Sequence, residues 1–336
     1  MQTKNGMRRW APVLIFLGLV AGFLVVGWLL RSARPERPLR EHSVRRPPER
    51  AAEQFPRYDE TWTYGQGSVK VVHLQLDGFI GRQRPAGLLR LPEDMTTSLL
   101  RQIRAAKNDT AVRGLLLEVN SGGGALTPCD EIYHALLGFR ESMPGRAIVV
   151  YARDIAASGA YLIAMAGDQV VSSPTALIGS IGVMLQTLNW NELSERIGVH
   201  DLTIKSGRNK DQLNPFRAVS SEERDLLQEM VDEQYERFLA IVARGRSLDA
   251  EVLRPYADGR IMTAARALDA GLIDHIGHWD EALQCLAQLL DEEDLRVVRY
   301  EKSVSLWSLL MRARWPQPPV LWSPPSGPRL LSVWNP

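Results

Sequence analysis

The apolar positions of this chain fall into three regimes. The first is an unbroken run: from Trp10 to Leu30, 21 residues rich in Leu, Val, Phe and Gly carry no charge. As an α-helix such a run is about 31 Å long, enough to cross the hydrocarbon core of a bilayer. It ends in Gly27-Trp28-Leu29-Leu30-Arg31, with bulky residues where a cleavable secretory signal carries a small-residue cleavage site. Residues 10–30 therefore read as a retained single-pass transmembrane helix, preceded by a short tail, 1–9. The second regime, 31–66, is rich in Arg, Pro and Glu and poor in aliphatics, and reads as a solvated tether.

The third regime begins near Val69, where short apolar runs alternate with helical spacing. Val69–Leu76 predicts a strand, Met95–Ala106 a helix, and Gly114–Val119 a short buried strand that Asn120-Ser121-Gly122-Gly123-Gly124 breaks. A helix follows through Ile132, Tyr133, Leu136 and Leu137. Ala147–Tyr151 predicts a buried strand, Ala157–Met165 a helix after a small-residue turn, and Gln169–Ser172 another strand. Strands alternating with helices specify an α/β core, placed at 67–300. Ser220-Ser221-Glu222-Glu223 fits a capping box, with Glu223 reaching back to the start of a long helix. Its apolar stripe comprises Leu226, Leu227, Met230, Val231, Phe238, Ile241 and Val242. Residues 301–336 place Trp307, Trp315, Trp322 and Trp334 among prolines and arginines, and read as a mobile or interfacial tail.

Charge narrows the partners. Forty Lys and Arg against 39 Asp and Glu leave a net charge of +1, which gives no argument for nucleic acid. Cys129 and Cys285 make no disulfide framework and lack metal-ligand spacing. Phosphate, dinucleotide and zinc motifs are missing, and so is the G-x-S-x-G elbow. His275 and His278, three residues apart, read as solvated or capping residues. Three segments remain. The glycines at 122–124 follow a buried strand, where exposed amides can stabilise an oxyanion. Ser158 sits among small neighbours in Ala156-Ala157-Ser158-Gly159-Ala160-Tyr161. Lys210 ends a polar stretch, and a lysine held in an apolar site can act as base to a serine. Read singly, these are a turn, an N-cap and a solvated lysine.

Read in order, the segments resemble signal peptide peptidase A and its relatives. The resemblance runs from about residue 68 to 290 and rests on six stretches. They are Val119-Asn120-Ser121-Gly122-Gly123-Gly124, Ala156–Tyr161, and Gly179-Ser180-Ile181-Gly182-Val183. Ile204-Lys205-Ser206-Gly207 running on to Lys210-Asp211, Ala257-Asp258-Gly259-Arg260, and Gly271-Leu272-Ile273-Asp274 complete the set. The resemblance implies the Clp protease/crotonase-like fold, a repeated ββα core. It also implies a serine peptidase with Ser158 as nucleophile, Lys210 as base, Ser180 holding the lysine, and the Gly124 amide, with Gly123 beside it, as oxyanion donor. Neither a metal nor a cofactor is implied. The implied substrates are hydrophobic peptides such as signal peptides. Relatives form rings or domes whose dyad is completed across a domain or subunit boundary, so a homo-oligomer is expected here. Gly122 replaces a family proline, Ala160 and Ala264 replace glycines, and Ile178 replaces a threonine.

Two other readings share parts of this pattern: a crotonase-like acyl-CoA enzyme, and an inactive oligomeric scaffold at the membrane. For orientation, Lys4, Arg8 and Arg9 precede the span while seven arginines lie between Arg31 and Arg50, a count that favours a cytoplasmic domain. The resemblance implies the opposite, a domain on the outer face of the bacterial inner membrane. We adopt that placement as the expectation, because large domains are exported regardless of local charge.

Overall fold

The computed structural model describes residues 55–82 and 94–301, together with the backbone of 329–333. The predicted span at 10–30 and most of the tether lie outside the described residues. Among those described, no helix is long and apolar enough to cross a membrane.

In chain order the elements begin β1 (Asp59–Tyr64), β2 (Val69–Asp77), α1 (Met95–Asn108), β3 (Val112–Ser121), β4 (Gly123–Ala125), α2 (Leu126–Arg140), β5 (Ala147–Ala157), α3 (Gly159–Ala164), β6 (Gln169–Ser172) and β7 (Leu177–Gly179). They continue with β8 (Met184–Gln186), α4 (Asn191–Arg196), α5 (Ser221–Arg246), α6 (Ala250–Leu253), β9 (Ile261–Thr263), α7 (Ala264–Asp269), β10 (His275–Ile276), α8 (Trp279–Leu290), β11 (Leu295–Glu301) and β12 (Arg329–Val333). The main sheet runs β1-β11-β2-β3-β5-β6-β10, with β7 beside the end of β5 and β9 beside β7. From β11 to β10 every pairing is parallel, while β1 and β9 join antiparallel.

The apolar runs are continuous because these strands are covered on both faces. Alternate residues of β3 divide between the two sides. Leu115, Leu117 and Val119 join the large core with α1, α2, α3 and α5, and Leu116 joins the smaller core beneath α8. At Gly114 a side chain would meet Leu286 and Leu290 of α8 at 3.3 Å or less, so glycine there lets helix and sheet close.

The structure departs from the sequence reading in several places. Strand β5 continues to Ala157, and its helix starts at Gly159 rather than 157. Residues 59–64, assigned to the tether, form the exposed edge strand β1, favoured by the alternating Thr61-Trp62-Thr63-Tyr64. Half of the capping box holds: Ser220 Oγ accepts from the Glu223 amide at 3.1 Å. The Glu223 carboxylate turns instead to the Leu213 amide and the Arg217 guanidinium, both at 2.7 Å, because it is buried and needs a charged partner. In the α5 stripe Phe238, Ile241 and Val242 are buried, whereas Met230 is exposed. Strand β10 starts at His275, directly after the Gly271–Asp274 stretch. His278 precedes α8 and its amide donates to Glu281 at 2.7 Å. The tail contributes strand β12.

A polar cluster fixes the carboxyl ends of the central strands. Glu118 on β3 accepts from His73 Nε2 (2.9 Å), Gln75 (3.3 Å) and Arg153 (2.6 Å). Arg299 donates to His73 Nδ1 at 3.1 Å, which assigns the Nε2–H tautomer. The His73 bond leads the causes that outweigh burial and hold the Glu118 carboxyl at about 2. A folded pKa below the unfolded value means the stabilisation is complete above about pH 4.5 and is lost as pH falls towards 2. Glu118→Gln is therefore expected to lower stability by about 2–3 kcal/mol at pH 7 and by distinctly less at pH 3, read by urea denaturation. A difference that stays constant over that range would refute the charge assignment.

Candidate active site

The site is built where β5 leaves the sheet. Its last residues pair in parallel with β7, Ile155 with Leu177, Ala156 with Ile178 and Ala157 with Gly179. That register sets the next residues, Ser158 and Ser180, abreast. Each adopts positive φ, 56° for Ser158 and 50° for Ser180, a conformation side-chain-bearing residues rarely take. Backbone hydrogen bonds hold both turns: Ser158 N–H donates to Gly179 O and Ser180 N–H to Arg260 O, each at 2.7 Å. Ser158 is 1% exposed, and α3 follows it fully embedded in the core.

Both serines line one cavity of about 510 Å³. Its walls are Ile181–Met184, the face of α5 carrying Gln228, Val231, Asp232 and Tyr235, and the segment Ala257–Gly259. The Ala-Asp-Gly-Arg stretch is thus a prop behind Ser180. Asp258 binds the Arg260 guanidinium at 2.7 and 2.6 Å and its amide at 3.1 Å, and these bonds hold its carboxyl at about 2. Gly259 N–H donates to Ile181 O at 3.1 Å.

The glycine run lies on the neighbouring strand end, where Ser121 pairs with Ala156 and β4 packs against α3. Gly123 N–H donates to Ser121 Oγ at 3.1 Å, and Gly123 O accepts from Ile80 N–H. Ala125 N–H donates to Ile80 O, so by strand alternation the amide and carbonyl of Gly124 face away from Ile80. Glycine is required at 124, because a Cβ would stand 1.9 Å from the Ile80 carbonyl oxygen. The part played by Ser121 escaped the sequence reading; only its place beside the glycines hinted at it.

Lys210 is positioned differently. It is exposed, in the turn-rich segment between α4 and α5, and does not line the cavity. Its neighbour Asp211 is tied to Lys205 (2.6 Å) and Arg217 (3.0 Å), which hold its carboxyl at about 2. Arg217 continues to Glu223, and Arg208 pairs with Glu222, so the loop is strapped to the start of α5. Around it lie uncovered apolar residues, among them Ile197 (66% exposed), Leu202 (88%) and Ile204 (94%). Within one chain, the two serines share a cavity, the glycine strand packs against the helix that follows Ser158, and the lysine lies outside the cavity lining.

Residues 141–293 match the profile of peptidase family S49. A protein of Enterococcus faecium assigned as signal peptide peptidase SppA is 34% identical over 74% of this chain and 71% of its own length. Protease 4 of Salmonella typhi is 31% identical over 62% of this chain, which spans 34% of that protein. The chloroplastic serine protease SPPA of Arabidopsis thaliana is 28% identical over 68% of this chain and 34% of its own length. These relatives set the acyl-CoA reading aside: the chain is a serine peptidase and belongs to the SppA family, peptidase family S49.

Proposed function

We propose that this chain is a membrane-anchored, homo-oligomeric endopeptidase with a Clp protease/crotonase-like core that degrades hydrophobic peptides such as cleaved signal peptides. The observation that carries the reading is Ser158: a buried serine on a strained strand-to-helix turn, opening onto a cavity beside an amide-bearing glycine strand. Lys210 Nζ takes the Ser158 proton as Oγ adds to a peptide carbonyl. The Gly124 amide receives the developing oxyanion. The intermediate collapses to an ester as the leaving amine takes a proton from the lysine, and water then releases the acid. Ser180 holds the lysine during these transfers. Gly124 is preferred over Gly123 because its amide faces away from Ile80, whereas the Gly123 amide is held by the Ser121 hydroxyl of the same turn.

Lys210 is supplied by a neighbouring copy. Its exposed position outside the cavity and the uncovered apolar residues around it support this arrangement. The run at 10–30 anchors the domain on the outer face of the bacterial inner membrane. A dual-tag reporter fused at residue 60 is expected to report that face; a cytoplasmic signal would overturn the orientation.

Ser158→Ala and Lys210→Ala are each expected to abolish hydrolysis of a hydrophobic signal-peptide-like substrate by the detergent-solubilised protein. Mixing the two inactive variants and letting subunits exchange should restore about a quarter of wild-type activity, since a quarter of random interfaces pair an intact serine with an intact lysine. A mixture that stays inactive although exchange is verified places the dyad within one chain.

Gly124→Ala drives a Cβ onto the Ile80 carbonyl and displaces the amide. Its kcat should fall by about 10²–10³-fold, measured beside its urea stability. Unchanged kcat would exclude Gly124 as the oxyanion donor.

A further inference from the structure

Strand β3 stops at Ser121 and β4 starts at Gly123, so the strand is interrupted at Gly122, inside a run of three glycines. Glycine has the most backbone freedom to lose, and a run of three has no side chain to pack it in place. A backbone donor to an oxyanion has to be fixed before the charge develops, since its benefit lies in needing no reorganisation during the reaction. Gly124 must therefore be held from outside the run. Residues 78–80 lie alongside and supply part of the hold. Before the interruption, Gly78 N–H donates to Asn120 O at 3.0 Å. After it, Ile80 N–H donates to Gly123 O at 3.0 Å, and Ile80 O accepts from Ala125 N–H at 2.8 Å. Between these rungs lie the Gly78 carbonyl and the Gly123 amide, and one hydroxyl joins them. Ser121 Oγ donates to Gly78 O and accepts from Gly123 N–H at 3.1 Å. Ser121 is 1% exposed, and Gly123 stands at φ 99°, a state that glycine alone adopts readily.

We propose that Ser121 is a positioning residue for catalysis, its hydroxyl standing in for the rung missing at Gly122 and fixing the direction of the Gly124 amide. The proposal rests on the reading that Gly124 is the oxyanion donor. Two peptide planes meet at Gly123. One carries the Gly123 amide and is held by Ser121; the other carries the Gly123 carbonyl together with the Gly124 amide and is held by Ile80. Only with both planes fixed are the φ and ψ of Gly123 determined. Without the hydroxyl, Gly123 becomes a hinge, and the Gly124 amide is held through Ile80 alone. Misplacing a catalytic group by about 1 Å costs on the order of 10²-fold in rate. Ser121 does not line the Ser158 cavity, so its hydroxyl bears on the rate of the chemical step and not on the binding of the peptide.

The test compares the full-length, detergent-solubilised protein with Ser121→Ala and Ser121→Cys on a hydrophobic peptide substrate. Urea denaturation and hydrogen exchange in a fragment spanning residues 121–126 are measured beside it. Ser121→Ala should lower kcat about 10–100-fold, move KM by less than about twofold, and speed exchange in that fragment. Ser121→Cys keeps a weaker donor and acceptor, so it should fall between the two and gives the answer if the alanine variant does not fold. A role confined to stability would lower the urea midpoint and leave kcat per folded molecule at the wild-type value. That result overturns the proposal, as does a loss carried by KM. Unchanged exchange overturns it too, and leaves Gly124 standing as the donor. Faster exchange with unchanged kcat means that the strand has loosened without consequence, which removes the donor assignment and the positioning role with it.

Discussion

The amide of Ser158 donates to the carbonyl of Gly179 at 2.7 Å, closing the parallel pairing of β5 with β7 where the chain must turn into α3. A serine in that turn is held at φ 56°, a backbone state costing on the order of 1–3 kcal/mol that persists only when its surroundings overdetermine it. The surroundings do so from three sides. The sheet register fixes Ala157, the core encloses all of α3, and the Arg260 carbonyl holds the matching turn at Ser180. Together they place a hydroxyl that is nearly inaccessible on average at the mouth of a cavity.

The glycine strand answers to the same geometry. Ser121 ends β3 in register with Ala156, so the run that follows is brought beside the Ser158 turn by the main sheet. Ser121 Oγ then takes the Gly123 amide, and Ile80 takes the next carbonyl and amide on one side. What remains is the single edge of Gly124, turned towards β12. Close approach of the Ile80 carbonyl is what excludes any side chain there. That edge of β4, beside the turn at Ser158, is the one that pairs with the backbone of β12.

The lysine loop is organised on another principle. Lys205, Asp211, Arg217 and Glu223 form a chain of charge pairs that straps the loop to α5, while apolar residues between Leu188 and Phe216 stay uncovered. Ion pairs fix the loop without burying it, and an uncovered apolar surface of this kind marks a contact with something else. The proposed assembly places a second copy there.

Much of this was determined by the sequence alone. Continuous apolar runs at Gly114–Val119 and Ala147–Tyr151 require burial on both faces, and so specify a parallel sheet under helices. The six ordered stretches singled out Ser158, Ser180 and Gly124 only through their resemblance to a family, since each stretch taken alone reads as an ordinary turn or cap. Other features were decided only by tertiary structure, because they join residues distant along the chain. Glu223 left its capping box for the Leu213 amide and Arg217 once burial demanded a charged partner. Gly123 and Gly124, equivalent in the sequence, became distinct when Ser121 and Ile80 engaged one side of the strand. A five-residue stretch of the tail, unremarkable in composition, became a strand because β4 and β8 offered it two unpaired edges. Side-chain periodicity records what a residue buries, whereas backbone pairing partners are set by where the fold leaves amides and carbonyls unmatched.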